Sequence, residues 1–274
     1  MLLYVNMRNI VVIPIYKPQP DEAERMSLRQ CVKVLGGHDM CLVCPQELDV
    51  TAYKELTGTD IRTERFAQNN FLSVETYSGL MKSNDFYKRF KHYKYILIYQ
   101  LDAWVFEDKL DYWCNKGYDY VGAPWFKDWR NHEEGYDFFC VGNGGFSLRR
   151  VKTFLKATNP SQRLHGFKEV LMRHQNDKWK YYYSIKEYLS FENSLGAFME
   201  KKKEKWEDVF FCCELKGTKL ELKTPGPLEA AQFSIETSPK YIFDEINKRQ
   251  LPFGCHAWQK YQYEEFWKDV IRFS

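Results

Sequence analysis

Four short segments carry residue types at spacings that suit chemistry. In Tyr95-Ile-Leu-Ile-Tyr-Gln-Leu-Asp102-Ala-Trp-Val-Phe106 an apolar, β-branched-rich run ends on a carboxylate, and a second apolar run follows at once. A buried strand that stops on an acid sets that charge at the carboxyl edge of a sheet, where open α/β sheets bind nucleotides. Residues i and i+2 of an extended chain point the same way, so Gln100 and Asp102 can face one ligand. A carboxylate there can hold Mg2+ or Mn2+, and the cation neutralises a diphosphate. The plainer reading of Asp102 is a capping or turn residue.

The second segment, Val141-Gly-Asn-Gly-Gly-Phe-Ser-Leu-Arg149, places three glycines around Asn143. Such a backbone can approach a ligand closely, and its amides together with the Asn143 side chain suit sugar hydroxyls. A tight turn before a strand explains the same residues. Arg149 or Arg150 is a candidate phosphate ligand, with a solvated position as the simpler expectation. The third segment, Trp206-Glu207-Asp208-Val209-Phe210, sets two acids among aromatic and apolar neighbours. A carboxylate facing a cavity in such surroundings can act as a general base. Two acids in the first turn of a helix give the structural alternative. The fourth, Pro252-Phe-Gly-Cys-His256-Ala-Trp258, holds a histidine in a non-helical aromatic stretch. Imidazole joins carboxylate readily around Mn2+, although a lone histidine is more often structural.

Strands and helices must position these groups. Ile10–Ile15 reads as a buried strand, and Pro20-Asp21-Glu22 opens a helix with acids in its first turn. Leu28, Cys31, Val32 and Leu35 share one face of that helix, and Gly36-Gly37 closes it. Met40–Cys44 is the next strand, stopped by Pro45, so the chain opens on a parallel βαβ unit. A shorter strand is expected near Asp60–Glu64, helices over Ser73–Lys82 and Asp85–His92, and strands at Tyr95–Tyr99, Tyr118–Gly122 and Gly144–Leu148. A helix follows over Arg150–Ala157. Residues 160–190 mix helical and tyrosine-rich pieces, Glu192–Lys203 reads as a helix with a basic end, and Ala230–Ile235 as a late strand. The tail from Leu251 is aromatic and ends in an amphipathic segment. With no repeat or linker, the economical organisation is one α/β domain with an elaborated C-terminal half.

Composition narrows the function class. Among 274 residues, 40 basic and 37 acidic side chains give a net charge of +3, too balanced for a dedicated nucleic-acid binder. Aromatic residues reach 17%, which suits packing of rings on sugar faces as well as a tyrosine-rich core. Cys41 and Cys44 have CxxC spacing without a second pair to complete a zinc site, and Cys212/Cys213 sit in an apolar run, so the expectation is buried free thiols in a reducing compartment. Met1-Leu2-Leu3-Tyr4 does not begin a signal sequence, and no run is long enough to span a membrane, which places the protein in the cytoplasm. Lys201-Lys-Lys-Glu-Lys205 is most simply a solvated helix end, with association at the inner face of a membrane as the minority reading. Tyr181-Tyr-Tyr183 reads as packing or as an acceptor surface. No P-loop, GxGxxG, nucleophile elbow or HExxH is present.

Taken in order, the four segments resemble glycosyltransferases of the GT-A fold. Tyr95–Phe106 looks like the strand that carries the DxD motif of that fold, Gly142–Leu148 like its glycine-rich segment, Glu207–Phe210 like the acidic "ED" motif of inverting members, and Pro252–Trp258 like the late histidine segment. The YQLDAWVF, VGAPW, GNGGFSLR and PFGCHAW segments together resemble a bacterial family of glycosyltransferase-like proteins first catalogued as a domain of unknown function, from about residue 9 to about residue 260.

The resemblance implies a GT-A-like, mixed but mainly parallel central sheet flanked by helices. Residues 9–150 would form the nucleotide-sugar-binding half and 151–274 the acceptor side. It implies a nucleoside-diphosphate sugar donor, a UDP-sugar first, and a glycan or lipid-linked glycan acceptor in surface polysaccharide synthesis. Tyr16 and Lys17 would border the base and phosphates, Gln100 and Asp102 the ribose and pyrophosphate, and Asn143, Gly144 and Gly145 the donor sugar, with Trp125 as a stacking wall. Asp102 and His256 would hold Mn2+ or Mg2+. Asp208 would be the base, with Glu207 as the alternative. One departure stands out: the first acid of DxD is Gln100, which removes a negative charge and puts the metal in question. That loss also favours a second reading, a non-catalytic nucleotide-sugar- or carbohydrate-binding protein. A nucleotidyltransferase ranks last, because Ile13–Pro18 is not a basic, glycine-rich loop.

Overall fold

The computed structural model describes residues 9–127 and 137–271, so the chain start at Met1–Tyr4 lies outside the described residues. In chain order the strands are β1 (Asn9–Pro14), β2 (Asp39–Pro45), β3 (Arg62–Phe66), β4 (Tyr95–Tyr99), β5 (Ala103–Val105), β6 (Tyr120–Val121), β7 (Pro124–Phe126), β8 (Phe138–Val141), β9 (Phe146–Arg150), β10 (Ser234–Ile235) and β11 (Gly254–His256). A six-stranded sheet runs β3-β2-β1-β4-β9-β6, and its first four strands are parallel. β9 runs antiparallel to both β4 and β6. Helices flank this mixed, mainly parallel sheet, as the sequence predicts.

The apolar runs of β1, β2 and β4 are unbroken because both faces of these strands are covered. Val11, Ile13, Leu42, Cys44, Leu97 and Tyr99 enter one core with the first helix, Glu22–Leu35. Ile10, Val12, Cys41, Val43, Ile96 and Ile98 enter the opposite core with Phe86, Tyr87, Phe154 and Phe211. Cys41 and Cys44 therefore lie on opposite faces of β2, and every cysteine is a free thiol. The first helix starts on a capping box in which Asp21 accepts from the Glu24 amide and Glu24 accepts from the Asp21 amide.

Two register facts build the site. Tyr99 pairs with Phe146 across β4 and β9, and the Gln100 amide donates to the Gly145 carbonyl at 2.8 Å. Because β9 is antiparallel, the glycine segment that precedes it enters the sheet beside the carboxyl end of β4. After a turn closed by the Ala103 amide on the Gln100 carbonyl, β5 leaves the main sheet and pairs antiparallel with β11, bringing Ala103 opposite His256. β10 joins the far side of β11 to complete a three-stranded sheet.

Some expectations shift. The strand expected at Ala230–Ile235 is the helix Pro227–Phe233, and only Ser234–Ile235 is extended. A short apolar run fits either period, and Gly226-Pro227 is a helix start. The strand expected at Gly144–Leu148 begins at Phe146, after the glycines, and continues to Arg150. Glu192–Lys203 is a 3-10 turn, Phe191–Asn193, followed by the helix Leu195–Lys201 capped by Ser194. The lysines of the basic run are paired rather than free: Lys201 with Glu192, Lys202 and Lys205 with Glu214, and Lys203 with Glu200. No helix among the described residues is long and apolar enough to cross a membrane.

Candidate active site

A cavity of about 540 Å3 opens beyond the carboxyl ends of β1 and β4. Ile15, Tyr16, Lys17 and Tyr53 line one side, Phe71, Val74 and Tyr77 another, and Gln100 and Asp102 the floor. Four of the sequence-predicted donor residues thus share one space. Tyr16 stands 62% exposed at the mouth. Lys17 is held by Glu24 at 2.8 Å and Asp21 at 3.0 Å, so its charge is spent on fixing the first βα loop.

His256 links this cavity to the glycine segment. Its Nε2 lies 3.1 Å from both Asp102 Oδ1 and Gln100 Oε1, and its Nδ1 lies 3.2 Å from Glu236 Oε1. Burial works against a charged imidazole, but Asp102 and then Glu236 more than offset it and hold the ring up to about 10. Glu236 is itself held low, against the cost of its burial, by the His256 charge and by hydrogen bonds that include Trp125 Nε1 at 3.1 Å. Trp125 thus faces Glu236, and its ring lies against Gly142, where a Cβ would stand 2.3 Å from it.

The glycines are there for space. A Cβ on Gly144 would sit 2.0 Å from Glu207 Oε1, and one on Gly145 would sit 2.0 Å from His256 Nε2 and 2.6 Å from Gln100 Oε1. The left-handed residue of the loop is Asn143, at φ 71, whose Oδ1 accepts from the Gly145 and Phe146 amides at 3.0 and 3.1 Å. That internal bond is what lets an asparagine take the conformation. Ala257, next to His256, is also left-handed at φ 51, so backbone strain gathers on both sides of the imidazole.

The acidic pair separates into two roles. Glu207 is buried, with Oε1 on Arg149 Nη2 at 3.2 Å. Asp208 reaches the backbone of the same glycine that Glu207 lies against, accepting from the Gly144 amide at 3.1 Å and from the Val209 amide at 2.8 Å. Burial, and then the charge of neighbouring Glu207, push the Asp208 carboxyl up to about 7. The segment begins as the short helix Glu207–Val209 and continues as a π-helical turn, Phe210–Glu214, whose Phe210, Phe211 and Cys212 anchor it in the core.

Arg149 corrects the sequence expectation. It is neither solvated nor aimed at phosphate: it is fully buried, with Nη1 donating to Tyr87 Oη at 3.0 Å, Nε to Ser147 Oγ at 3.1 Å and Nη2 also to the Gly144 carbonyl at 3.3 Å. Arg150, half-buried, pairs with Asp119. The sequence reading missed Glu236. Its signal was present, since it follows a two-residue strand just as Asp102 follows β4.

The donor set suits a divalent cation. Adjacent ligands around an ion with bonds of about 2.1 Å stand about 3 Å apart, and Asp102 Oδ1 and Gln100 Oε1 have that spacing from His256 Nε2. Glu236 on Nδ1 makes the carboxylate–histidine pair that orients a metal-binding imidazole. A cation on Nε2 takes the place of the proton there. Among the described residues no group of three or more His, Cys, Asp and Glu side chains is arranged to hold a metal ion, so Asp102 and His256 have no third ligand of those types beside them.

Comparison with known proteins gives a family. Residues 60–256 match the model described as "Protein of unknown function (DUF5672)", and the chain belongs to that family. No curated protein matches. The structure is similar to the glycosyltransferase GlyE of Streptococcus pneumoniae, at 14% identity and a TM-score of 0.45, over 98% of this chain and 61% of that one. It is similar to the galactosyltransferase LgtC, crystallised with donor and acceptor sugar analogues, at 11% identity and a TM-score of 0.44, over 90% of this chain and 86% of that one. It is also similar to core-mannan synthase A of Aspergillus fumigatus in its Mn/GDP form, at 12% identity and a TM-score of 0.40, over 55% of this chain. The match spans 61% of the length of that synthase.

Proposed function

We propose that this member of the DUF5672 family is a glycosyltransferase. It moves a sugar from a nucleoside-diphosphate sugar, a UDP-sugar in the first instance, to a hydroxyl of a glycan or lipid-linked glycan, with inversion. It acts in the cytoplasm in the synthesis of bacterial surface polysaccharide or glycoconjugate. The observation that carries the reading is the Asp208 carboxylate, lifted towards neutrality and tied to the Gly144 amide, in the same loop whose Asn143 and Gly145 touch His256 beside the Asp102 cavity.

In this mechanism Tyr16, Lys17 and Gln100 border the base, phosphates and ribose, and Asn143, Gly144 and Gly145 line the donor sugar, with Trp125 as its wall. Asp208 accepts the proton of the acceptor hydroxyl as that oxygen bonds to the anomeric carbon and the bond from that carbon to the phosphate oxygen breaks. The transition state has oxocarbenium character. A base near neutrality both accepts and returns a proton readily at physiological pH. Glu207 is the weaker candidate for this role because Arg149 already engages it. Asp102, His256 and Gln100 would hold a divalent cation, which would supply positive charge to the departing diphosphate.

The test is a thermal-shift screen of nucleoside diphosphates and their sugars with and without Mn2+, followed by transfer assays on the wild type and Asp208→Asn. Stabilisation by one nucleotide class, with transfer lost and donor binding kept in Asp208→Asn, is expected. No shift with any nucleoside diphosphate would overturn the proposal. Binding without transfer across a broad acceptor set would favour a non-catalytic nucleotide-sugar-binding protein.

A further inference from the structure

The helix Lys180–Leu189 has its apolar stripe facing outwards. Of its ten residues only Ser184 is buried. Tyr181, Ile185 and Leu189 recur at every fourth position, with Tyr182 beside them, so they share one face. They are 61%, 50%, 61% and 60% exposed respectively. A helix on the surface of a soluble domain buries such a stripe against its core. Trp179 just before the helix and Phe191 just after it are 63% and 71% exposed, which extends the stripe at both ends. The helix packs on its neighbour Phe167–Arg173 and on the Phe191–Asn193 turn.

The charges around this stripe leave a positive excess, because most of the acids are paired. Lys178, Lys180 and Lys186 interleave with the apolar residues, and none is paired with a carboxylate among the described residues. Of the acids nearby, Glu187 is in ion pairs with Arg173 and His174, Glu169 with Arg173 and His165, and Asp177 is held by the Trp179 backbone amide. The Lys201–Lys205 run, by contrast, is neutralised by glutamates.

We infer that the 167–191 helical hairpin docks the protein on an anionic lipid bilayer. Tryptophan and tyrosine rings suit the headgroup layer, Ile185 and Leu189 the acyl boundary beneath it, and free ammonium groups the lipid phosphates. The cores of protein–protein interfaces are depleted of lysine. Here Lys186 borders the stripe and Lys178 stands beside Trp179 at its start, on stems long enough to lie along an apolar surface and keep the charge in a polar layer. The docking stands apart from the transfer reaction proposed above and needs no donor to be tested.

The experiment is co-sedimentation of the full chain with vesicles of phosphatidylcholine alone and of phosphatidylcholine mixed with phosphatidylglycerol. Binding to the mixed vesicles, weakened by salt, is expected. The combined variant Lys178→Gln, Lys180→Gln, Lys186→Gln should lose roughly a hundredfold in affinity at low salt, from the attraction that three surface cations supply. Trp179→Ser, Ile185→Ser, Leu189→Ser should lose at least about as much, with an unchanged melting midpoint because all three side chains are exposed. Failure of the wild type to bind mixed vesicles would overturn the inference, as would wild-type binding by the lysine variant, which tests it even if the serine variant misfolds. A wild-type dimer in light scattering that the serine substitutions convert to monomer, without vesicle binding, would assign the stripe to a second copy of the chain.

Discussion

Asp208→Asn should make the protein more stable above neutral pH while removing its proposed base. The Asp208 carboxyl stands at about 7 in the folded protein, against an ordinary 3.8. Between those values the folded chain holds a proton that the unfolded chain has released. Wild-type stability therefore falls as pH rises through that window, by up to ~4 kcal/mol once Asp208 is fully ionised. Asparagine carries no titrating proton, so the variant escapes this slope. It has a cost of its own. Asp208 accepts from two amides, Gly144 and Val209, and the single oxygen of asparagine serves one of them well, a loss of about 1–2 kcal/mol.

The two effects predict a crossing. Near pH 3, where wild-type Asp208 is protonated both folded and unfolded, the variant should be less stable by about 1–2 kcal/mol, and near pH 5, where ionisation of the unfolded chain has already taken about as much from the wild type, the two should be nearly equal. Near pH 8.5 it should be more stable by ~2–3 kcal/mol, the gain from escaping ionisation less the lost hydrogen bond. His256 also titrates differently in the folded protein. Its raised value gives stability that is complete below the ordinary 6.5 and lost as pH rises through about 10, but this contribution is common to both proteins and cancels in the difference. Urea denaturation of both proteins at intervals across that pH range measures it directly. A stability gap of constant size and sign at every pH would refute the account of Asp208, whatever the transfer assay gave.

Gly145→Ala should abolish any nucleotide- or Mn2+-induced thermal shift and lower the melting midpoint, because its Cβ would strike Gln100 Oε1 and His256 Nε2, an imidazole held between Asp102 and Glu236. An unchanged ligand shift in the variant would count against the site. Glu236→Gln should weaken Mn2+ binding about 10- to 100-fold, as loss of the partner that orients a ligating imidazole does. Calorimetric titration reads this, and equal affinity would remove Glu236 from the site. Arg149→Met should cost about 3–5 kcal/mol in urea denaturation, because it strands Glu207 without its buried partner. A loss below about 1 kcal/mol would mean the pair is solvated in practice.

The parts of the fold legible in the sequence are those held by local pattern. β1, β2 and β4 show as continuous apolar runs because both of their faces are buried, and the first helix shows through its capping box and its Leu28/Cys31/Leu35 face. Asp102, Asn143, Asp208 and His256 were each visible as unusual residues, but nothing local joined them. What joins them is register: Gln100 beside Gly145, and Ala103 opposite His256. Arg149 was misread because a charged residue at the end of a strand ordinarily meets water. Its burial depends on Glu207, 58 residues further on. Glu236 stands directly after the expected strand Ala230–Ile235, and what makes it part of the site is its contact with His256, 20 residues further on.

The three-stranded sheet has a consequence for the order in which the protein can become functional. β5 leaves the main sheet early in the chain, yet its partner β11 lies about 150 residues later, from the Ala103–His256 pairing. During synthesis the chain emerges from its amino end. The cavity floor is therefore made while Asp102 still has no imidazole beside it, because Glu236 and His256 are made later. The residues of the cavity precede those of the finished centre, and completion of that centre coincides with closure of the longest-range strand pair among the described residues. A ribosome-stalled chain ending before β11 would hold Asp102 without its imidazole, and release of the residues that follow would be the step that pairs them.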